Sequence, residues 1–161
     1  MVWSCLVSIL PGMAQTEKLI DYVNPFVGTD GYGNVYPGAQ IPFGGIQMSP
    51  DTDSKFYDAA SGYKYNHSTL LGFSLTHLSG TGIPDLGDFL FIPGTGEMKL
   101  EPGTRENPEK GYRSHYSHER EWASPNYYAV ELTDYGVKAE MTSGVRSGMF
   151  RFTYPQSDKS F

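Results

Sequence analysis

The chain has 161 residues, enough for one domain with a real core, since a chain near 150 residues buries about 68–70% of its unfolded surface. Its 12 basic and 18 acidic residues leave a net charge of −6, which argues against a nucleic-acid or anionic-membrane partner. With 19 glycines and 11 prolines it is too rich in turn formers for a helical bundle, and its one cysteine cannot make an internal disulfide or a cysteine metal cluster.

Val2 to Leu10 is mostly apolar and is broken by Pro11-Gly12; Gly12-Met13-Ala14 then resembles a small-residue cleavage site. Residues 1–14 therefore read as a degenerate export signal that lacks the usual positive start, and the protein is expected to be periplasmic, cell-surface or secreted. Removal would take Cys5 with it; lipidation of Cys5 is a minor alternative. The apolar run is too short to span a bilayer, which needs about 20 residues, and no second run is longer. Residues 15–161 are assigned to one sandwich domain.

Thr16 is placed to cap a helical turn over Glu17 to Asp21, ended by Asn24-Pro25. Gly28 to Gly45 is glycine-punctuated loop, and Asp51 to Ser61 is polar and turn-rich. The apolar runs Leu70 to Leu78 and Asp88 to Ile92 read as strands buried on both faces, followed by a short strand at Glu97 to Leu100. Pro102 to Glu121 is charged and mixed in sign, which predicts an exposed excursion. Beyond it, Tyr128, Val130 and Leu132, then Val137, Ala139 and Met141, then Phe150, Phe152 and Tyr154 alternate with mostly polar neighbours. That period of two, with turns at Asp134-Tyr135-Gly136 and Ser143-Gly144, predicts an antiparallel meander. The fold class is all-β, an antiparallel β-sandwich. Phe161 follows a turn and reads as the beginning of another strand, so the sandwich is expected to be incomplete at its C-terminal end.

Several motifs fail on spacing. In Gly28 to Asn34 the third glycine of a dinucleotide fingerprint would fall at Tyr36, and the twelfth position of a calcium loop begun at Asp30 is Ile41. There is no phosphate-loop lysine and no nucleophile elbow. His115 and His118 lie in a charged loop without the partners a zinc site needs. Asp51 and Asp53, after Pro50, read as an Asx turn.

Thr76 to Asp88 is denser in chemistry. It carries two carboxylates, one imidazole and three hydroxyls in a loop between two predicted strands. Asp85 and Asp88 could be a paired acid and base, as in sugar hydrolysis, although carboxylates at this spacing more often cap turns. His77, at a strand end, either holds a sugar hydroxyl or is a partly buried, hydrogen-bonded histidine. Tyr32, Tyr36, Phe56, Tyr57, Tyr63 and Tyr65 fall in or beside glycine-rich segments, where flat rings can stack on sugar C–H faces. These features point to carbohydrate, against the plainer reading that aromatics favour strands.

Taken together, the segments resemble a known family. They are Asp21 to Asp30 (DYVNPFVGTD), Tyr36-Pro37-Gly38-Ala39 with Ile41-Pro42-Phe43-Gly44, Gln47 to Thr52, Ser61 to Tyr65, Gly72-Phe73-Ser74, and Thr76 to Asp88. This resembles the N-terminal domain of glycoside hydrolase family 92, the exo-acting α-mannosidases, from about Asp21 through Tyr154. The resemblance implies a β-sandwich joined to a C-terminal (α/α)6 barrel that this chain lacks. It implies hydrolysis of terminal α-mannosides of N-glycan type with inversion, and a bound calcium ion. Both catalytic carboxylates and most calcium ligands are expected beyond Phe161, so no catalytic or metal residue is assigned within the chain, and the chain alone is expected to be inactive. Matching loops give the candidate substrate-binding residues: Thr29, Asp30, Phe56, Tyr57, Asp58, His77, Asp85 and Asp88. The expected partners are a mannose-containing glycan and the missing helical domain. Departures occur where members often carry tryptophan before Asp58 (here Phe56-Tyr57), a first histidine at Leu75 and a cysteine at Ala60. The alternatives from other classes are a free-standing carbohydrate-binding module and a structural docking domain.

Overall fold

The computed structural model describes residues 17–53, 57–85 and 87–161. The proposed leader (1–14), Cys5, Thr16 and Phe56 lie outside the described residues.

The clearest part of the fold is the meander. Strand β6 (Glu121–Ser124) pairs with β7 (Tyr127–Leu132), which pairs with β8 (Val137–Ser143), which pairs with β9 (Gly148–Thr153), all antiparallel. The register aligns Tyr128 with Met141 and Phe150, and Val130 with Ala139 and Phe152. These rows of apolar side chains form one face of the sheet. Asn126, at positive φ, sits in the two-residue turn between β6 and β7, where its short polar side chain tolerates the left-handed region and bonds Ser143 across the sheet.

A smaller sheet covers that face. Strand β1 (Ala39–Gln40) pairs with β2 (Gln47–Asp51), which pairs with β4 (Gly72–Ser74). Ala39, Met48 and Phe73 are fully buried in one cluster with Tyr128, Val130 and Met141. Phe73 lies 6.3 Å from the ring centres of both Phe150 and Phe152, which ties the two layers together. A two-stranded ladder, β3 (Thr69–Leu70) with β5 (Ser114–His115), completes the antiparallel sheets. The chain is an all-β antiparallel sandwich; the helical segments among the described residues are single 3₁₀ turns.

Several sequence expectations are corrected. The run Leu70 to Leu78 is not one strand. It breaks at Leu71, where the chain leaves β3 for β4, and Gly72 takes φ +154° with Phe91 O so close that a Cβ would sit 2.7 Å from it. The expected strand Asp88 to Ile92 contracts to one bridge, Phe73 with Phe91, because Phe89, Leu90 and Phe91 lie exposed at the rim. Glu97 to Leu100 forms no strand; its side chains face solvent and lack a neighbouring ladder. Pro102 to Glu121 is not simply an exposed excursion. It supplies β5 and buries Arg113, Ser114, Tyr116 and Glu121, because its charges find partners inside. The first helical turn is a 3₁₀ turn at Leu19–Tyr22 with Lys18, not Thr16, at its N-cap.

Asp51 belongs to β2 rather than to an Asx turn. Pro50 is tolerated in this central strand because it faces Phe73, whose N–H and C=O are both spent on Phe91 at 2.8 Å. No ladder bond is lost where proline has none to give.

Candidate functional site

The ends of β2 and β4 carry a buried polar group. Asp51 is the last residue of β2, Ser74 the last of β4, and His77 follows three residues later. Asp51 Oδ1 lies 2.9 Å from His77 Nε2, and the Ser74 hydroxyl donates to Asp51 Oδ2 at 2.6 Å. On the far side of the ring, His77 Nδ1–H donates to the Gln47 carbonyl at 2.7 Å. All three side chains are at least nine-tenths buried. Burial opposes a charge on His77, but the Asp51 carboxylate, its hydrogen bond and the Gln47 carbonyl outweigh it and hold the histidine pKa above its ordinary value. Tyr36 packs on the imidazole with ring centres 5.1 Å apart, and burial pushes its hydroxyl up to about 12.

This group forms the floor of a cavity of about 260 Å³, walled by Ser61, Gly62, Asp85 and Gly87 as well as Asp51 and His77. Gly62 is required there. Its φ is +87°, and a Cβ would lie 2.2 Å from Asp51 Oδ1 and 3.0 Å from the His77 ring. Its bare Cα leaves the carboxylate open to the cavity.

Three loops meet at this end of the sandwich. Thr29 is buried and its hydroxyl donates to Phe26 O at 2.8 Å, while Tyr65 N–H donates to Thr29 O at 2.9 Å. Asp30 is exposed on the same loop. Gly80 N–H donates to Asn34 O at 2.7 Å, which joins the first loop to the third. Tyr57, in the 3₁₀ turn Tyr57–Ala59 that also contains Asp58, packs on Gly82 so closely that a Cβ there would fall 2.4 Å from the Tyr57 ring. His77 and Asp85 thus share one cavity. Asp88 does not line it; it is exposed and accepts from the Thr76 hydroxyl at 3.4 Å. Thr29, Asp30 and Tyr57 stand on the neighbouring loops. Asp51 is the residue sequence reading placed elsewhere. No local signal marked it: Gln47 to Asp51 contains Pro50 and is buried without alternation.

Among the described residues, no three His, Cys, Asp or Glu side chains gather where one ion could be held.

An all-β sandwich with acidic and aromatic loops meeting at one end holds candidate binding residues on a rigid scaffold. Comparison with known proteins makes the family explicit. Residues 22–161 match the model described as the glycosyl hydrolase family 92 N-terminal domain, and the chain belongs to that family. It superposes on a family GH92 α-mannosidase from Bacteroides thetaiotaomicron with a TM-score of 0.88 and 89% sequence identity, covering 89% of this chain and 19% of that one. The same enzyme is also known in complex with mannoimidazole. A family GH92 inverting mannosidase from Bacteroides thetaiotaomicron VPI-5482 gives a TM-score of 0.71 at 28% identity, covering 90% of this chain and 19% of that one. A protein of Arthroderma benhamiae described as an uncharacterized secreted glycosidase is 30% identical over 147 residues, 90% of this chain and 19% of the relative. The chain therefore spans about a fifth of the length of these relatives. No helix among the described residues is long and apolar enough to cross a membrane.

Proposed function

We propose that this chain is the N-terminal sandwich of an exported α-mannosidase that removes terminal α-mannosides of N-glycan type with inversion, and that it supplies loops to the wall of the mannose pocket. The observation that carries this reading is the Asp51–His77 cavity, walled by Ser61 and Gly62 on one loop and Pro84, Asp85 and Gly87 on another, in a chain 89% identical to part of a family α-mannosidase. A buried, doubly hydrogen-bonded His77 has no ring nitrogen to spare, so its part is to orient Asp51. Asp51 and Asp85 then accept hydrogen bonds from sugar hydroxyls. Thr29, Asp30, Tyr57 and Asp88 stand on the flanking loops, and Phe56 and Asp58 are assigned to the same pocket wall from the sequence.

Inversion needs an acid and a base about 6.5–9.5 Å apart, with a water between base and sugar. In this reading neither comes from the sandwich. Both carboxylates, and the ligands of the calcium ion, belong to the helical domain of the complete enzyme. Residues 1–14 act as the leader, and residues 15–161 form the sandwich domain.

The test is a mannose-release assay with pure chain on an α-dimannoside, alongside a binding titration with the same sugar. Binding that perturbs Asp85 and Gly87 without release of mannose is the expected result. Release of mannose by the chain alone overturns the assignment of acid and base elsewhere. An antibody against the sandwich that detects a native band at or just below 17.9 kDa, together with mannoside affinity, supports a free-standing binding module instead.

A further inference from the structure

We propose that a second cavity, beside the first and separated from it by Leu71 and Leu90, is a saccharide-binding site in its own right. It has a volume of about 390 Å³, and those two leucines line both cavities. The proposal rests on the carbohydrate reading given above and extends it to residues on which that reading does not depend.

The outer wall is the loop from Glu101 to Arg113. Its base is closed by Tyr112 N–H donating to Glu101 O at 2.8 Å and Arg113 N–H to Pro102 O at 3.3 Å. Gly103 and Gly111 cross so closely that a Cβ on Gly111 would lie 2.1 Å from Gly103 N. The wall is thus built in place by backbone bonds before any ligand arrives.

Arg113 is the informative residue. It is 5% exposed, and its Nη1 donates inward to Thr52 O at 2.6 Å and to the Thr69 hydroxyl at 3.3 Å. Its Nε is buried and has no acceptor. A buried N–H without a partner is a standing cost that native proteins rarely leave unanswered. The remaining chemistry of the cavity beside it says what it would take. Arg105 also lines the space and lies 3.7 Å from the Asp53 carboxylate, and Glu106 stands at the rim, so the two cations are matched by two anions. Leu71, Leu90 and Tyr112 supply an apolar wall. A free oxyanion would meet Asp53 and Glu106 as well as the arginines. A neutral polyhydroxylated ring suits both signs: its hydroxyl oxygens accept from the Arg105 guanidinium beside Arg113, its hydroxyl protons go to the carboxylates, and its C–H face rests on the leucines.

The experiment is a heteronuclear NMR titration of the full chain, following the Arg113 Nε–H signal together with the Asp85 and Gly87 amides. The probes are mannose, an α-mannobiose and, separately, inorganic phosphate. Saturable movement of the Arg113 signal by a saccharide is expected, and loss of one charge-assisted bond in Arg105→Gln should weaken that response about tenfold while Asp85 and Gly87 respond as before. Arg113→Lys should abolish it; because Arg113 is buried and that variant can fail to fold, Arg105→Gln carries the test. If Asp85 and Gly87 move while Arg113 stays silent, the second site is overturned and the first reading stands. If neither set moves with saccharide, both fall. Movement of Arg113 with phosphate alone makes the cavity an anion site and overturns the proposal.

Discussion

Asp51 and His77 form a buried pair across the floor of the first cavity, with Oδ1 2.9 Å from Nε2 and the opposite ring nitrogen held by the Gln47 carbonyl. The groups bonded to or packed on the imidazole include the Asp51 carboxylate, the Ser74 hydroxyl, the Gln47 carbonyl and the face of Tyr36, whose hydroxyl stays neutral to about pH 12. A cation in that setting is stabilised by geometry rather than by solvent.

A pH dependence of stability follows. The folded-state pKa of His77 is raised. A raised group contributes stability that is fully present below its unfolded value, about 6.5, and is lost as pH rises through the folded value. The urea midpoint should therefore fall between about pH 6.5 and the folded value in the native chain. His77→Gln should flatten that limb and lower stability by roughly 3 kcal/mol at pH 6, because it leaves a buried carboxylate without its charge partner. An unchanged limb in the variant would assign the pH dependence to another group.

Gly62 and Gly80 offer a matched comparison. Both have positive φ, +87° and +74°, but a Cβ on Gly62 strikes Asp51 and His77, whereas one on Gly80 meets nothing within 4 Å. Gly80→Ala should cost only the left-handed penalty of about 1–2 kcal/mol. Gly62→Ala should cost clearly more, since Asp51 Oδ1 must move and with it the bond to His77. Equal destabilisation in urea melts would mean that the floor of the cavity yields freely.

Glu121 is the second buried charge to be tested. Its carboxylate accepts from the Tyr63 hydroxyl at 2.9 Å, from the Tyr128 hydroxyl and from His118 Nδ1–H, while His118 Nε2–H donates to Tyr65 O at 2.7 Å. Burial, followed by the nearby Glu121 charge, holds the Tyr128 hydroxyl well above its ordinary pKa, and burial does the same for Tyr63. In an alkaline absorbance titration these two rings should ionise only when the chain unfolds. Tyr63→Phe should cost about 1–1.5 kcal/mol, and combining it with Tyr128→Phe should be non-additive by 0.5 kcal/mol or more, because both hydroxyls share Oε1.

The meander was legible because its alternation runs through three strands with turns between them, and Val130, Ala139 and Phe152 fall in one row as the period requires. The small sheet was not. β1 is two residues long, β2 contains a proline and β4 begins at a strained glycine, so none shows a periodic pattern. What places them is tertiary: Met48 and Phe73 fill the space above Tyr128 and Met141. The same holds at the site. His77 and Asp85 could be read from a loop dense in polar residues, but Asp51 becomes a neighbour of His77 only because β2 and β4 lie side by side. The burial of Arg113 and Glu121 was equally hidden, since a mixed-charge stretch reads as solvent-facing unless its internal partners are known.

On the outer face of the meander, Glu140 is held by Arg151 through two bonds of 2.6 and 2.7 Å and by the Tyr127 hydroxyl at 2.6 Å. The Arg151 bonds, then that of Tyr127, lower the Glu140 carboxyl to about 2. A lowered group contributes stability that is present above its unfolded value, about 4.3, and is lost as pH falls through the folded value. Acid should therefore weaken this contact only between about pH 4.3 and 2. Arg151 is well exposed, so salt should screen the pair and its effect at neutral pH should be small. Arg151→Gln tests the cause directly. The Glu140 carboxyl, followed by carbon-detected NMR, should then titrate markedly closer to 4.3, while the Tyr127 bond keeps it somewhat below. A value that stays near 2 in the variant would assign the shift to Tyr127 and Lys138 instead, the latter 3.6 Å from the same carboxylate.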